Sequence, residues 1–543
     1  MTRCALALAC LAALSLLAVA ALPGAQASTE ATEGGIFRVS FQGSSSLQAF
    51  DHVDPALAYT RESWTLLDTV CARLMRYRDR PSTEGYRIVP EVATAPPTVS
   101  RDGRTTTFKL RSGFRFSDGS PVRADAFAQA IYRTMAPGVD SPAYLYTQAI
   151  VGAEDVRAGR APRAAGVMQR GNTLTVRFTR AIRDFAAWTT MPFFCAVPPT
   201  LPPSPEGIRA FPGSGPYVVR AFLPDRRVVI RRNRYYGGDR AHHVDGFDVD
   251  LTSASPQQVL DRIEEGKADW GYATAAIHFD PRRRLIAKYG INFSRFFVER
   301  GLTTTLYVFN SSRPLFRDNP ELRRAVNVAL SRFEHALRTA ENPTDQDLPT
   351  SVAGASVRRI YALDGDIGRA RTLAEGHRRQ GKLVFYVPQW PRKLNAAQRV
   401  QEQLGEIGLE VEIRELSEYA TSSAYLGRLG NPDEPWDMAF VVWSPDYVDP
   451  FAYLNRILDT RTAGGTGLAR FAEAPYIGLM REAARRSGPA RARAYAALDL
   501  RLRRDAAPFA PMAILNEATL VSARSGCVLR RPTLVLTTVC LKR

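Results

Sequence analysis

Lysine is nearly missing: only six of the 72 basic residues are Lys, and the rest are Arg. Cysteine and histidine occur six times each, and no Cys-x-x-Cys is present, which argues against a structural zinc site or a thioredoxin-type redox site. Gly-x-Ser-x-Gly, His-Glu-x-x-His and Ser-x-x-Lys are absent in the contexts that would make them catalytic, so a hydrolase has no motif to stand on. Gly464-Gly465-Thr466-Gly467 lacks the Lys and the helix of a phosphate-binding loop. Past residue 22 no run approaches the ~18 apolar residues of a membrane span. Acidic residues are fewer than basic ones, 54 against 72, which leaves a net charge of +18. The arginine clusters (Arg226-Arg227, Arg231-Arg232, Arg282-Arg283-Arg284, Arg503-Arg504) are scattered along the chain. No helix-turn-helix or ribonucleoprotein motif accompanies them, so they read as a basic surface facing an anionic cell envelope, not as a nucleic-acid site.

What is present begins with Arg3, an apolar stretch from Cys4 to Leu22, a Pro23-Gly24 break and Ala25-Gln26-Ala27. This is the pattern of a cleaved secretory signal peptide over residues 1–27. Cys10 sits inside the apolar stretch, too early for a lipoprotein box, so no lipid anchor is expected. Cleavage leaves Cys71, Cys195, Cys527 and Cys540, an even count in an exported chain, with three possible connectivities. Cys527 and Cys540 flank Arg530-Arg531-Pro532, a turn, and are the expected pair. Cys71 with Cys195 follows by elimination, and two buried free thiols are the other reading.

At 543 residues the chain exceeds one hydrophobic core. Alternation marks strands at 35–41, 106–110, 172–178, 217–222, 227–230 and 247–251, and helical spacing marks 63–77, 124–135 and 255–265. From Leu302 onward, strands at 304–309, 383–387, 409–413 and 438–443 alternate with helices at 320–330 and 394–407, which predicts an α/β unit with a mostly parallel sheet. A helix at 489–504 and strands at 511–515 and 519–521 follow. Two α/β lobes without a linker suggest a hinged cleft, and ligands in such folds sit outside the carboxyl ends of the strands. The stretch Trp443-Ser444-Pro445-Asp446-Tyr447-Val448-Asp449-Pro450 occupies such an end, after the apolar run Met438–Val442.

Several segments resemble, in order, one family: the extracellular solute-binding proteins of peptide-type ABC importers, the dipeptide and oligopeptide group. They are Phe108–Asp125 (FKLRSGFRFSDGSPVRAD), Gly213–Tyr217 with Arg232–Tyr236, Gly266–Asp269, and Phe309-Asn310 with Pro314–Phe316 and Leu322–Val326. The resemblance implies a two-lobed hinged clamp of the periplasmic-binding-protein type, α/β in class, with an extra subdomain inserted in the first lobe. It places the first lobe at 28–59, 202–300 and 506–543, the inserted subdomain at 60–201 and the second lobe at 301–505, with crossings near 299–301 and 505–511. It implies a monomer without a cofactor that captures a peptide or peptide-like solute and docks on an ABC permease with its ATPase subunits, in the periplasm or outside the cell. Asp446 matches the family's Asp that meets the peptide's α-ammonium group, and Trp443 matches its Trp. A fixed carboxylate is what a cation entering a dry cleft requires. Tyr447 and Tyr419 are candidate wall residues, with ordinary packing as the equal alternative. Asp449-Pro450 reads as a turn, and Asp54 as a structural cap. Some members carry a basic residue three before the Trp, near the peptide's carboxylate; here that position is Phe440.

Other readings keep the clamp and change the ligand to a metal complex, a sugar or another small solute, or make the protein a ligand sensor. His242-His243-x-Asp245 is the metal candidate, but no second cluster completes a shell. An exported hydrolase built on Asp446 and Asp449 fails because residues three apart on one loop do not reliably face each other across a sugar.

Overall fold

The computed structural model describes residues 32–43, 50–277, 279–417, 423–459 and 466–542. The segment IFRVSFQ alternates so that Phe37, Val39 and Phe41 point into a core, and it forms strand Ile36–Gln42. That strand pairs in parallel with Gly246–Ser253 and with Trp270–Gly271. Arg227–Arg232 and Tyr217–Leu223 extend the sheet antiparallel, giving the five-stranded order Trp270–Gly271, Ile36–Gln42, Gly246–Ser253, Arg227–Arg232, Tyr217–Leu223. This is the sheet of the first lobe.

Inserted after its first strand is a subdomain with an antiparallel sheet in the order Thr98–Val99, Thr105–Lys109, Thr173–Arg177, Val167–Arg170. Helix Ala124–Thr134 packs Phe127 and Ile131 into its core with Phe108, Phe185 and Trp188. The helix expected over 63–77 is shorter, Arg61–Val70, and Met75–Tyr77 is a strand paired with Ile88–Pro90. The break falls at Cys71, which is extended and disulfide-bonded to Cys195. Leu66, Leu67 and Val70 pack in the first lobe's core, whereas Leu74 and Met75 pack in the subdomain's, so one apolar period serves two cores. Cys527 is bonded to Cys540.

The second lobe holds a six-stranded sheet in the order Asn342–Pro343, Phe509–Leu520, Phe296–Phe309, Met438–Trp443, Leu383–Pro388, Val411–Leu416. The last three are parallel, but the first three join antiparallel, so the sheet is mixed where a mostly parallel one is expected. The cause is the pair Phe296–Phe309 and Phe509–Leu520, the second of which runs through both strands expected at 511–515 and 519–521. One end of the pair, Phe296 with Leu520, lies in a cluster beside the first lobe; the other, with Ala510 and Met512, lies in the second lobe's core. Its register shifts between Arg300 and Thr304, opposite Asn516 and Ile514, and again between Thr305 and Leu306. Ala506, Phe509 and Ala510 lie in the second lobe's core. Strand Met438–Trp443 is buried along its whole length, as a strand covered on both faces must be.

Candidate ligand-binding cleft

Alternation along Met438–Trp443 sends Met438, Phe440 and Val442 to one face of the sheet and Ala439, Val441 and Trp443 to the other. Pro445 and Asp446 then leave the strand. Ser444 Oγ stays 2.7 Å from Thr303 Oγ1, beside the register break, and Arg61 Nη2 donates to Thr303 Oγ1 at 2.9 Å while its Nη1 donates to Glu517 Oε1 at 2.8 Å. The tip is therefore tied to both crossing strands and to the first lobe.

Asp446 is the meeting point of all three units. Tyr59 of the first lobe donates its hydroxyl to Oδ1 at 3.0 Å. Tyr146 of the inserted subdomain donates its hydroxyl to Oδ2. Arg456, from the same lobe as Asp446, places Nη1 at 2.5 Å from Oδ2 and at 2.6 Å from the Tyr146 hydroxyl. Its guanidinium lies 5.2 Å from the Tyr146 ring centre and 5.7 Å from that of Trp443. Burial and the neighbouring Asp446 hold both tyrosine pKa values above the ordinary phenol range, so both hydroxyls are donors at neutral pH. Arg456 stays charged because the attraction of Asp446 outweighs the desolvation that opposes it.

Trp443 is buried against the second lobe's core and donates Nε1 to the Ala452 carbonyl at 2.9 Å. Tyr447 points the other way, into the subdomain's core, and its hydroxyl donates to Asp184 Oδ2 at 2.6 Å, an atom that Trp188 Nε1 also reaches at 3.1 Å. The Tyr447 ring lies 6.2 Å from that of Tyr146, centre to centre. Tyr419 lies outside the described residues. Asp449 caps the turn Pro450–Ala452 and accepts from Arg491 Nη2 at 2.8 Å. Asp54 accepts two bonds from Arg133, at 2.8 and 2.7 Å, and one each from the Ala56 and Ile208 amides, which is a structural cap.

Phe440 sits in a ring cluster with Tyr307 and His335. A cation nevertheless reaches it from another element: Lys393, in the first turn of helix Pro391–Gly405, sets Nζ 5.0 Å from the Phe440 ring centre and 5.1 Å from that of Trp390. Its ammonium makes no hydrogen bond or ion pair among the described residues. Desolvation brings its pKa down to about 8. The helix starts at the carboxyl end of Leu383–Pro388, parallel to Met438–Trp443, so Lys393 and the Asp446 tip share that edge of the sheet. Arg392 beside it lies 5.2 Å from the ring centre of Phe279, on helix Phe279–Tyr289 of the first lobe.

Sequence reasoning missed Arg456, Tyr59, Tyr146 and Lys393. Tyr59 and Tyr146 stand 387 and 300 residues from Asp446, so no local pattern links them. The one local signal was the basic residue ten positions after Asp446, in the apolar run Leu454–Leu458. The metal candidate residues serve other partners: His242 Nδ1 lies 2.8 Å from the Arg240 carbonyl, His243 Nδ1 2.7 Å from Glu33 Oε1, and Asp245 Oδ2 accepts from the Gly35 amide at 2.7 Å. No helix among the described residues is long and apolar enough to cross a membrane.

The probable D,D-dipeptide-binding periplasmic protein of Escherichia coli K12 is 24% identical over 444 residues, 78% of each chain. The periplasmic murein peptide-binding protein of the same organism is 24% identical over 432 residues, 74% of each. Among solved structures, clavulanic acid biosynthesis oligopeptide binding protein 2 superposes with a TM-score of 0.83 at 21% identity, covering 94% of this chain and 96% of its own. The unliganded open form of a periplasmic murein tripeptide binding protein superposes with a TM-score of 0.75 at 19% identity, covering 94% and 98%. Residues 87–465 match the bacterial extracellular solute-binding proteins, family 5 (middle), and the chain belongs to that family.

Proposed function

We propose that this chain is the exported capture component of an ABC importer and closes its two lobes around a peptide-like solute. The observation that carries this is the Asp446 tip: a carboxylate at the carboxyl end of a buried strand, reached by side chains from both lobes and from the inserted subdomain. Groups that meet there only when the units come together are what a clamp needs, because closure follows only from a ligand that prefers the closed arrangement. The relatives named for dipeptides and murein peptides support a peptide-like ligand. A peptide backbone would add hydrogen bonds that read no side chain, and Trp443 and Asp446 would border its amino-terminal end. Lys393 would meet an anionic group of the ligand in place of the basic residue that Phe440 displaces. Delivery would be to a membrane permease driven by ATPase subunits, by a monomer freed from its signal peptide at 1–27 and carrying no lipid anchor.

Native mass spectrometry of the freshly purified protein, followed by unfolding and identification of what is released, tests the reading. Peptides or peptide-like compounds at one per chain are the expected result. A sugar or metal complex would keep the clamp and remove the peptide. Continuous consumption of the ligand, instead of stoichiometric depletion, would make the protein an enzyme.

A further inference from the structure

We propose that Arg456 is a built-in counter-ion that makes the Asp446 subsite electrically neutral, so that the subsite selects a peptide-like ligand whose terminus there is uncharged: N-acylated, cyclised or lactam-capped. This rests on the peptide reading above and narrows it.

Both oxygens of Asp446 are already engaged. Oδ1 accepts from Tyr59, and Oδ2 accepts from Arg456 at 2.5 Å and from Tyr146. Arg456 is not a surface residue leaning in. It is 4% exposed and sits in helix Leu454–Leu458, every residue of which is buried. Its carbonyl accepts from the Thr466 amide at 2.7 Å and hydroxyl at 2.9 Å, and its guanidinium faces the Tyr146 and Trp443 rings. Swinging it out would break a buried pair and strand Asp446 without its counter-charge, a heavily penalised step.

An ammonium group entering this subsite gives up its hydration and needs a net negative charge in return. Asp446 alone would supply it. Asp446 with a guanidinium in contact presents a dipole, and the newcomer meets repulsion from Arg456 at nearly the range over which Asp446 attracts it. An amide terminus has no such cost, since its N–H needs only an acceptor lone pair, which the Tyr59 hydroxyl oxygen and Asp446 Oδ1 both offer. The first lobe and the inserted subdomain also supply an apolar seat beside the carboxylate. Tyr59 is 45% exposed, and its ring lies 6.0 Å from Trp64 and 6.1 Å from Phe193, centre to centre, with Trp64 and Phe193 5.4 Å apart. An acyl cap would pack against that wall.

The test is calorimetric titration with two peptide pools of identical sequences, one with free amino termini and one N-acetylated, against the wild type, Arg456→Met and Asp446→Asn. The wild type is expected to bind the acetylated pool at least tenfold more tightly. Arg456→Met should reverse the order, because Asp446 becomes a lone carboxylate, and Asp446→Asn should sharpen the wild-type preference. The wild-type comparison needs no variant and decides the matter even where one fails to fold. A wild type that prefers the free-amine pool, or binds both equally, overturns the counter-ion role and leaves the peptide reading standing. A wild type that binds neither pool while taking up another class of solute removes the peptide reading and this inference with it.

Discussion

At Asp446 three donors converge on two oxygens, and the consequence for mutation is thermodynamic before it is functional. Asp446→Ala would leave the Arg456 guanidinium buried without its carboxylate, a loss of about 3–5 kcal/mol. Urea unfolding should show a clearly lower midpoint, with Asp446→Asn intermediate because it keeps an acceptor; an unchanged midpoint for the alanine variant would mean that the pair is not stabilising. Lys393 makes a pH prediction. Its pKa is lowered to about 8 by burial, so the ammonium is present below that pH and lost above it. Binding of a carboxylate-bearing ligand should weaken as pH rises through 8, while the matching C-terminal amide should show no such fall. A Lys393→Met variant with an unaltered pH profile would remove Lys393 from the ligand's path. The stability sign is opposite: the unfolded chain holds that proton to higher pH, so this residue's contribution to stability rises between about 8 and 10.4.

Helix Arg61–Val70 shows what a residue in an element can cost. Glu62 lies in its first turn, where the helix dipole favours a carboxylate, yet desolvation wins and raises its pKa to about 7. The folded protein therefore holds a proton that the unfolded chain releases near pH 4.3, and stability falls as pH climbs from about 4 to 7. Glu62→Gln should flatten that decline and raise the melting temperature at pH 8, measured by scanning calorimetry from pH 5 to 9; a parallel decline in the variant would assign the slope to other groups. The same helix marks the limit of periodicity. Trp64, Leu67, Val70, Cys71, Leu74 and Met75 keep a helical spacing, but the chain turns extended at Cys71. Spacing records that these residues are buried, not that one core buries them all.

Across the whole molecule, the two disulfides close loops of very different length. Cys527–Cys540 spans 13 residues and Cys71–Cys195 spans 124. Loop-closure entropy assigns about 3 kcal/mol to the short loop and about 5 kcal/mol to the long one. Paired Cys→Ser variants compared by denaturant unfolding should show the larger loss at 71 and 195, and equal losses would show that chain entropy is not what distinguishes them. The long bridge also sits where the first lobe's helix gives way to the subdomain, with both sulfurs in the first lobe's core. Strands Phe296–Phe309 and Phe509–Leu520 pair along one ladder whose register shifts twice, between Arg300 and Thr304 and between Thr305 and Leu306.

The sequence by itself determined the class of fold and the strand that ends at Trp443, because alternation, capping and apolar runs are local records of burial. The disulfide pairing was readable only in part: proximity suggested Cys527 with Cys540, and elimination suggested the rest. Tertiary structure alone decided what surrounds the carboxylate. Tyr59 and Tyr146 come from hundreds of residues away, Lys393 returns a cation to the face that Phe440 left apolar, and Arg456 turns a lone charge into an ion pair. Charge acts through space across a few ångströms in a dry cleft, and sequence order carries no information about which charges the fold will set that close.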